Sequence, residues 1–360
     1  MARTLSRRKQ GLRLRFLLIG MIALAVIAIA GVLYRVLRFE SFPVASHREP
    51  AAPTVVLLDG SFGARFAGEM IAERESFFAH NVVLRAEPNN LDFVATVVRE
   101  RAIGVTSGQK FLLAAWGGAP VTAFAASLLD TSIAIFTLEA SGLRRPADLI
   151  DKRLGYRRGS EGEVIFDAMM AQLRLPRSRI VKLPDRDNFD ALSSGEVDAI
   201  IAPVDREPAP SEPGYVRLNV IKPQDYGIHV PGLVYFASSD LVRDRPSAIM
   251  QVLTGVIKGW RFVYGDYTHS VPVLVRFDPE RLKPERIKFE LERQRELVLP
   301  ADGRIADYDE RRWRTLRDVL LFAKLGEQQF PLTQLVTYQF LRDVYRQPID
   351  RIAPGVTTGR

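Results

Sequence analysis

From Thr54 onward, short apolar runs alternate with stretches of helical spacing, and this alternation constrains the fold more than any other feature of the chain. Runs at 55–58, 82–84, 102–105, 121–126, 132–138, 154–156, 180–183, 199–202 and 234–237 read as strands. Between them, 65–79, 91–100, 109–116, 161–173 and 189–194 carry helical periodicity. Longer amphipathic helices follow over 245–264, 284–296, 309–325 and 334–345. Repeated strand–helix units fold into a mostly parallel sheet with helices on both faces, so the fold class is α/β.

The N-terminus is different in kind. Residues 16–34 form an uncharged run of nineteen, rich in Leu, Ile, Ala and Val. At about 1.5 Å per helical residue this nearly spans a bilayer core of roughly 30 Å. Six basic residues precede the run and two follow it, which predicts a cytoplasmic N-terminus and a body on the far side. Two readings compete. Ala28-Ile29-Ala30 before Gly31 has the form of a signal-peptide cleavage site. Apolar residues continue through Val32, Leu33, Val36 and Leu37, however, and cleavage would leave a greasy end, so an uncleaved signal-anchor is favoured.

The chain of 360 residues has a formal charge of +8, a value that invites a nucleic-acid reading. All of that excess comes from eight Arg and Lys in residues 1–38, where there is no Asp or Glu. Residues 39–360 balance 42 basic against 42 acidic side chains, so the body carries no global field for a polyanion. Cysteine is absent, which excludes disulfides, Cys-ligated metals, a thiol nucleophile and a lipidated cysteine.

The sequence carries little that points to catalysis. His47, His80, His229 and His269 are far apart, with no metal-ligand spacing, and nucleophile-elbow, dinucleotide and P-loop motifs are missing. Carboxylates are plentiful but sequence alone cannot pair them, and a hydrolytic enzyme ranks last. No metal or cofactor is expected. The turns that follow strands are more informative, because ligands of open α/β sheets bind beyond the strands' carboxyl ends. Asp59 to Gly63 offers small residues and Phe62. Thr106-Ser107-Gly108 offers two hydroxyls. Arg157-Arg158-Gly159-Ser160 precedes Glu163, a Ser-x-x-Glu capping box. The bland reading of each is a helix cap or a solvated charge, and Glu161 and Glu163 already place negative charge at the positive helix end.

The order of several short motifs resembles a known family. Gly104-Val105 and Gly118-Ala119-Pro120-Val121 are followed by Ser141-Gly142-Leu143 and by Pro146-Ala147-Asp148-Leu149 through Leu154-Gly155. Gly159-Ser160, Gly195-Glu196-Val197-Asp198-Ala199, Tyr226-Gly227, Arg245-Pro246 and Lys258-Gly259-Trp260 come next, in register with it. Over roughly 54–345 the chain resembles NMT1/THI5-like periplasmic substrate-binding proteins, whose members bind thiamine-precursor pyrimidines, alkanesulfonates, taurine or nitrate. It departs from them at Asp151, where the family has glycine, and at 98–104, where an Asp is lost. Pyrimidine synthases of the same fold need a cysteine-rich motif, which this chain lacks.

The resemblance implies a two-lobed, hinged periplasmic-binding-protein-like fold behind one N-terminal transmembrane helix. Its parts are an anchor at 1–38, a linker at 39–53, lobe one at 54–138 and 228–360, and lobe two at 139–227. It implies ligand contacts at Ser61, Phe62, Thr106, Ser107, Arg158, Gly159, Ser160, Val204, Asp205 and Tyr226, with Phe62 stacking and the hydroxyls hydrogen-bonding. The expected function is capture of a small polar molecule, such as a pyrimidine, sulfonate or nitrate, for the permease of an ABC importer. The expected location is the inner membrane, single-pass, with the body in the periplasm or outside the cell. The alternative keeps the fold but makes it an anchored sensor or assembly module that signals to a membrane partner.

Overall fold

The computed structural model describes residues 53–346 except 89 and 308; the apolar run at 16–34 lies outside the described residues. Among the described residues no helix is long and apolar enough to cross a membrane. The chain begins with β1 (Thr54–Leu58), α1 (Ala67–Arg74), β2 (Val82–Ala86), α2 (Phe93–Glu100), β3 (Ile103–Ser107), α3 (Gly108–Trp116) and β4 (Val121–Ala126). It continues with β5 (Ile133–Leu138), β6 (Arg153–Tyr156), α4 (Glu161–Gln172), β7 (Val181–Pro184), α5 (Phe189–Ser193), β8 (Ala199–Pro203) and β9 (Leu218–Ile221). Then come β10 (Leu233–Ser238), α6 (Ser239–Asp244), α7 (Pro246–Gly265) and α8 (Tyr267–Val275). The described chain closes with α9 (Pro284–Val298), α10 (Glu310–Phe322), α11 (Leu332–Leu335) and α12 (Gln339–Arg346).

The strands form two five-stranded sheets, ordered β2-β1-β3-β10-β4 and β7-β6-β8-β5-β9. The two share one pattern. β1 runs parallel to β2 and β3, and β6 parallel to β7 and β8. The fourth strand of each, β10 or β5, is reversed against its neighbours. All six residues of β10 are buried, as expected for a strand covered by helices on both faces. Phe93, Phe111 and Phe236 pack there with ring centroids 5.6–6.3 Å apart, and Trp313 lies edge-on to Phe111 at 5.5 Å.

In the first lobe α1 lies hard against α7. A Cβ added at Gly259 would come within 2.0 Å of the Gly68 carbonyl, so only glycine lets these backbones meet. Glu69, the next residue of α1, is fully buried. Its carboxylate accepts from the Tyr235 hydroxyl and, at 3.3 Å, from Ser127 Oγ.

The chain passes between the lobes twice, at 127–132 and 222–232. The passages run side by side: Gly232 N donates to the Leu128 carbonyl at 3.0 Å, and Gln224 Nε2 donates to the Thr131 carbonyl at 2.5 Å. A Cβ at Gly232 would sit 2.3 Å from the Asp130 carbonyl. The Asp130 carboxylate ties the pair together: it lies 2.7 Å from His229 Nδ1, accepts from Val230 N at 3.1 Å, and meets Arg312 of α10 at 3.5 Å.

Several expectations change. Strand β5 belongs to the second sheet, so the first passage lies before it and not at 138/139. The second passage begins at 222, before the expected boundary at 227/228. Strand β9 is an addition to the expected strands; it is a short edge strand with a polar Asn219 in its middle. Helix α8 is also an addition, and it contains Pro272. The helix expected over 65–79 stops at Arg74, and the chain turns through left-handed Ser76. The helix expected over 334–345 is broken into α11 and α12.

Burial pushes the Glu69 carboxyl from 4.5 up to about 7, although its hydrogen bonds oppose the shift. A raised carboxyl stabilises the fold below its unfolded pKa, and that stability is lost as pH rises to the folded value. A shift of this size is worth roughly 3 kcal/mol. Glu69→Gln should therefore flatten the stability profile between pH 4.5 and 7, with little change at pH 4.5 and a higher Tm than wild type at pH 8. Thermal melts across that range check it.

Candidate functional site

The turns after β1, β3, β6 and β8 lie where each sheet's parallel strands end. The first two are joined within lobe one. Thr106 is fully buried and its hydroxyl donates to Asp59, and Lys110 Nζ lies 2.8 Å from the same carboxylate. Ser107 caps α3 by accepting from Lys110 N at 3.1 Å. In lobe two Ser160 caps α4, accepting from Glu163 N at 3.3 Å. Glu163 Oε2 reaches back to Gly159 N at 2.8 Å, one residue before the position a capping box uses.

Helix α9 bridges the lobes. Toward lobe one, Gln294 Nε2 donates to the Ala64 carbonyl at 2.6 Å. Just upstream of the helix, Arg281 donates to the Phe62 carbonyl. Toward lobe two, Arg286 donates to the carbonyls of Asp205 and Glu207 and meets Glu212 at 3.1 Å. Arg293 pairs with the Glu207 carboxylate, and Lys222 lies 3.4 Å from Glu296. The turn after β1 and the turn after β8 thus share one helix.

Between these turns, carboxylates are held away from water. Burial pushes Glu161, the first residue of α4, from 4.5 up to about 7, and the Arg65 guanidinium from the lobe-one turn pulls partly against it. Burial also raises Glu207 against the pull of Arg293. Glu290 is raised by burial, opposed by Arg286 and reinforced by Asp205. Arg65 Nε, Glu161 Oε1 and Asp205 Oδ1 are all buried without a hydrogen-bond partner. A buried polar atom left unpaired costs about 1–3 kcal/mol, and more if charged, so three of them around one opening are a feature to explain.

The expected contact residues divide into three groups. Phe62, Ser160 and Asp205 stand on the turns that α9 and the Arg65–Glu161 pair bring together, with Ser61 exposed beside Phe62. The Phe62 ring is half-buried and packs on Phe277 at 5.0 Å. Thr106, Ser107 and Val204 are spent on structure, the first two as above and Val204 by burial in the lobe-two core. Arg158 and Gly159 are exposed. Tyr226 does not join the group: its carbonyl accepts from Gln172 at the last turn of α4, while Ser160 caps the first. Twelve helical residues, about 18 Å, separate those ends.

Arg65 and Glu161 are additions to the expected site residues. The only sequence signal for Glu161 is its charge at a helix N-terminus, and pairing across lobes leaves no local pattern. Motifs that carry the family resemblance are engaged elsewhere. Asp198 pairs with Arg153 at 2.8 Å, and Asp148 accepts from the backbone of Arg144 and Arg145 at 3.0 Å. Among the described residues no group of three or more His or acidic side chains could hold a metal ion.

The family model for NMT1/THI5 like proteins matches residues 64–267. No curated protein matches. Solved structures do. The periplasmic aliphatic sulphonate binding protein SsuA from Escherichia coli superposes with a TM-score of 0.64 at 16% identity, covering 80% of this chain and 92% of its own. The alkanesulfonate-binding protein SsuA from Xanthomonas axonopodis pv. citri, bound to MOPS, gives 0.59 at 17%, covering 82% and 100%. The desulfurization enzyme DSZB gives 0.55 at 14%, covering 81% and 99%. At these identities the likeness shows the fold alone, the two-sheet periplasmic-binding-protein fold.

The bridge from α9 has a direct consequence. A hydrogen bond to a charged group contributes about 1.5–3 kcal/mol, so losing even one shifts an open–closed equilibrium about tenfold or more. Arg286→Met should therefore enlarge the radius of gyration in small-angle scattering while leaving each lobe's secondary structure intact by circular dichroism.

Proposed function

Because the chain belongs to the NMT1/THI5-like family, we propose that it is a membrane-anchored solute-binding protein that captures a small polar molecule between its lobes. The observation that carries the reading is the construction of the cleft. Two sheets of one design are joined by two adjacent passages, and unpaired polar atoms from both lobes lie around one opening. Such a fold closes about a hinge when ligand completes the interface. Capture, closure and delivery to the permease of an ABC importer require no covalent step. The anchor is the uncharged run at 16–34, and the flanking Arg and Lys support a cytoplasmic N-terminus with the body outside.

Thermal melting of the full-length protein in detergent, over pyrimidines, sulfonates, nitrate and amino acids, tests the reading. At about 100 times Kd a ligand adds roughly 2.7 kcal/mol to apparent stability, so at least one class should raise the Tm by several degrees. No shift across the panel would count against solute binding. Alkaline carbonate extraction of membranes tests the anchor: full-length protein should stay with the pellet, and a chain starting at residue 40 should be released. Recovery of permease subunits with the full-length protein supports transport, whereas a kinase or cyclase would favour sensing.

A further inference from the structure

Each unpaired atom in the cleft states what would satisfy it. Glu161 Oε1 and Asp205 Oδ1 are acceptors, and Arg65 Nε–H is a donor. They stand on three turns, those after β6, β8 and β1, so two come from lobe two and one from lobe one. The other charged groups nearby are already engaged. Arg286 meets Glu290 at 2.6 Å as well as Glu212 and two carbonyls, Arg281 holds Asp278 at 2.9 Å and the Phe62 carbonyl, and Arg293 pairs with Glu207. What remains is two carboxylates against one guanidinium.

A sulfonate or nitrate fits this arrangement poorly. Either ion offers acceptors only, and would place them against two carboxylate oxygens that are themselves acceptors. The positive end of α4, where an anion would otherwise sit, already holds the Glu161 carboxylate. A cation rich in N–H groups meets all three needs at once. It donates to Glu161 and Asp205, neutralises the surplus negative charge, and gives Arg65 an acceptor if one lies next to the amine.

We propose that the cleft selects a small cationic, amino-bearing ligand, an amine or amidine carrying a neighbouring carbonyl or ring-nitrogen acceptor, bound by Glu161 and Asp205 with Arg65 donating to the acceptor. The assignment rests on the solute-binding reading and narrows its ligand class. Lobe closure is completed by the ligand's own donors, since Glu161 and Asp205 approach it from one lobe and Arg65 from the other.

The test is calorimetric titration of the full-length protein in detergent with glycinamide, agmatine and benzamidine, beside methanesulfonate and nitrate. At least one cation should bind, with Kd weakened about tenfold or more in Glu161→Gln and in Asp205→Asn, each checked for folding by its melting curve. Arg65→Met should weaken glycinamide, which carries a carbonyl, more than agmatine. Binding of methanesulfonate or nitrate without any cation would overturn the ligand class while leaving the solute-binding reading intact. Cation binding that survives both carboxylate substitutions would overturn the site. If none of the five probes binds, the ligand class fails; the broader melting panel then decides whether solute binding fails with it.

Discussion

The lobes can act as two bodies only because the chain joins them at two adjacent passages, and one carboxylate holds those passages together. Asp130 on the first reaches His229 and the Val230 amide on the second, and Arg312 on α10. Its burial raises its pKa, and the His229 and Arg312 contacts offset part of that cost. With Gly232 fitting closely against the Asp130 carbonyl, the two passages are fixed in register over a few residues. Bending is thereby confined to a narrow strip, and each sheet moves as a packed whole.

Much of the architecture is legible in the sequence because it rests on local patterns. The buried strands β1, β3, β8 and β10 are short apolar runs bounded by polar turns, and the helices between them keep their spacing. Failures fall where local pattern and tertiary role disagree. Strand β9 lies at a sheet edge and needs less apolar content, so Leu218–Ile221 shows no clear alternation. In α8 the packing of Ser270, Val271 and Leu274 outweighs a proline that normally interrupts a helix. The place where the chain leaves the first sheet is hidden because β5 has the same character as β4, and no sequence signal says which sheet a strand joins.

The site is less legible, for a related reason. The turns can be found, since strand ends and helix caps are local. Which side chains on those turns face one another depends on how the lobes meet, and that is long-range. Arg65 and Glu161 are 96 positions apart and belong to different sheets. The motifs that identify the family hold the scaffold: Gly259 sets the α1–α7 contact and Asp198 pins β6 to the segment before β8. A family can thus be recognised from its framework while the residues that choose a ligand go unnoticed.

The manner in which Arg286 spans the lobes has a consequence for how such a protein can change. Two of its hydrogen bonds go to the main-chain carbonyls of Asp205 and Glu207. Main-chain oxygens are present whatever side chain stands at those positions. The turn after β8 can therefore exchange Asp205 for another residue, and so alter what the cleft accepts, without surrendering the contact that draws the lobes together. Selectivity and closure are written in different parts of the same turn, so mutation can revise one while the other persists.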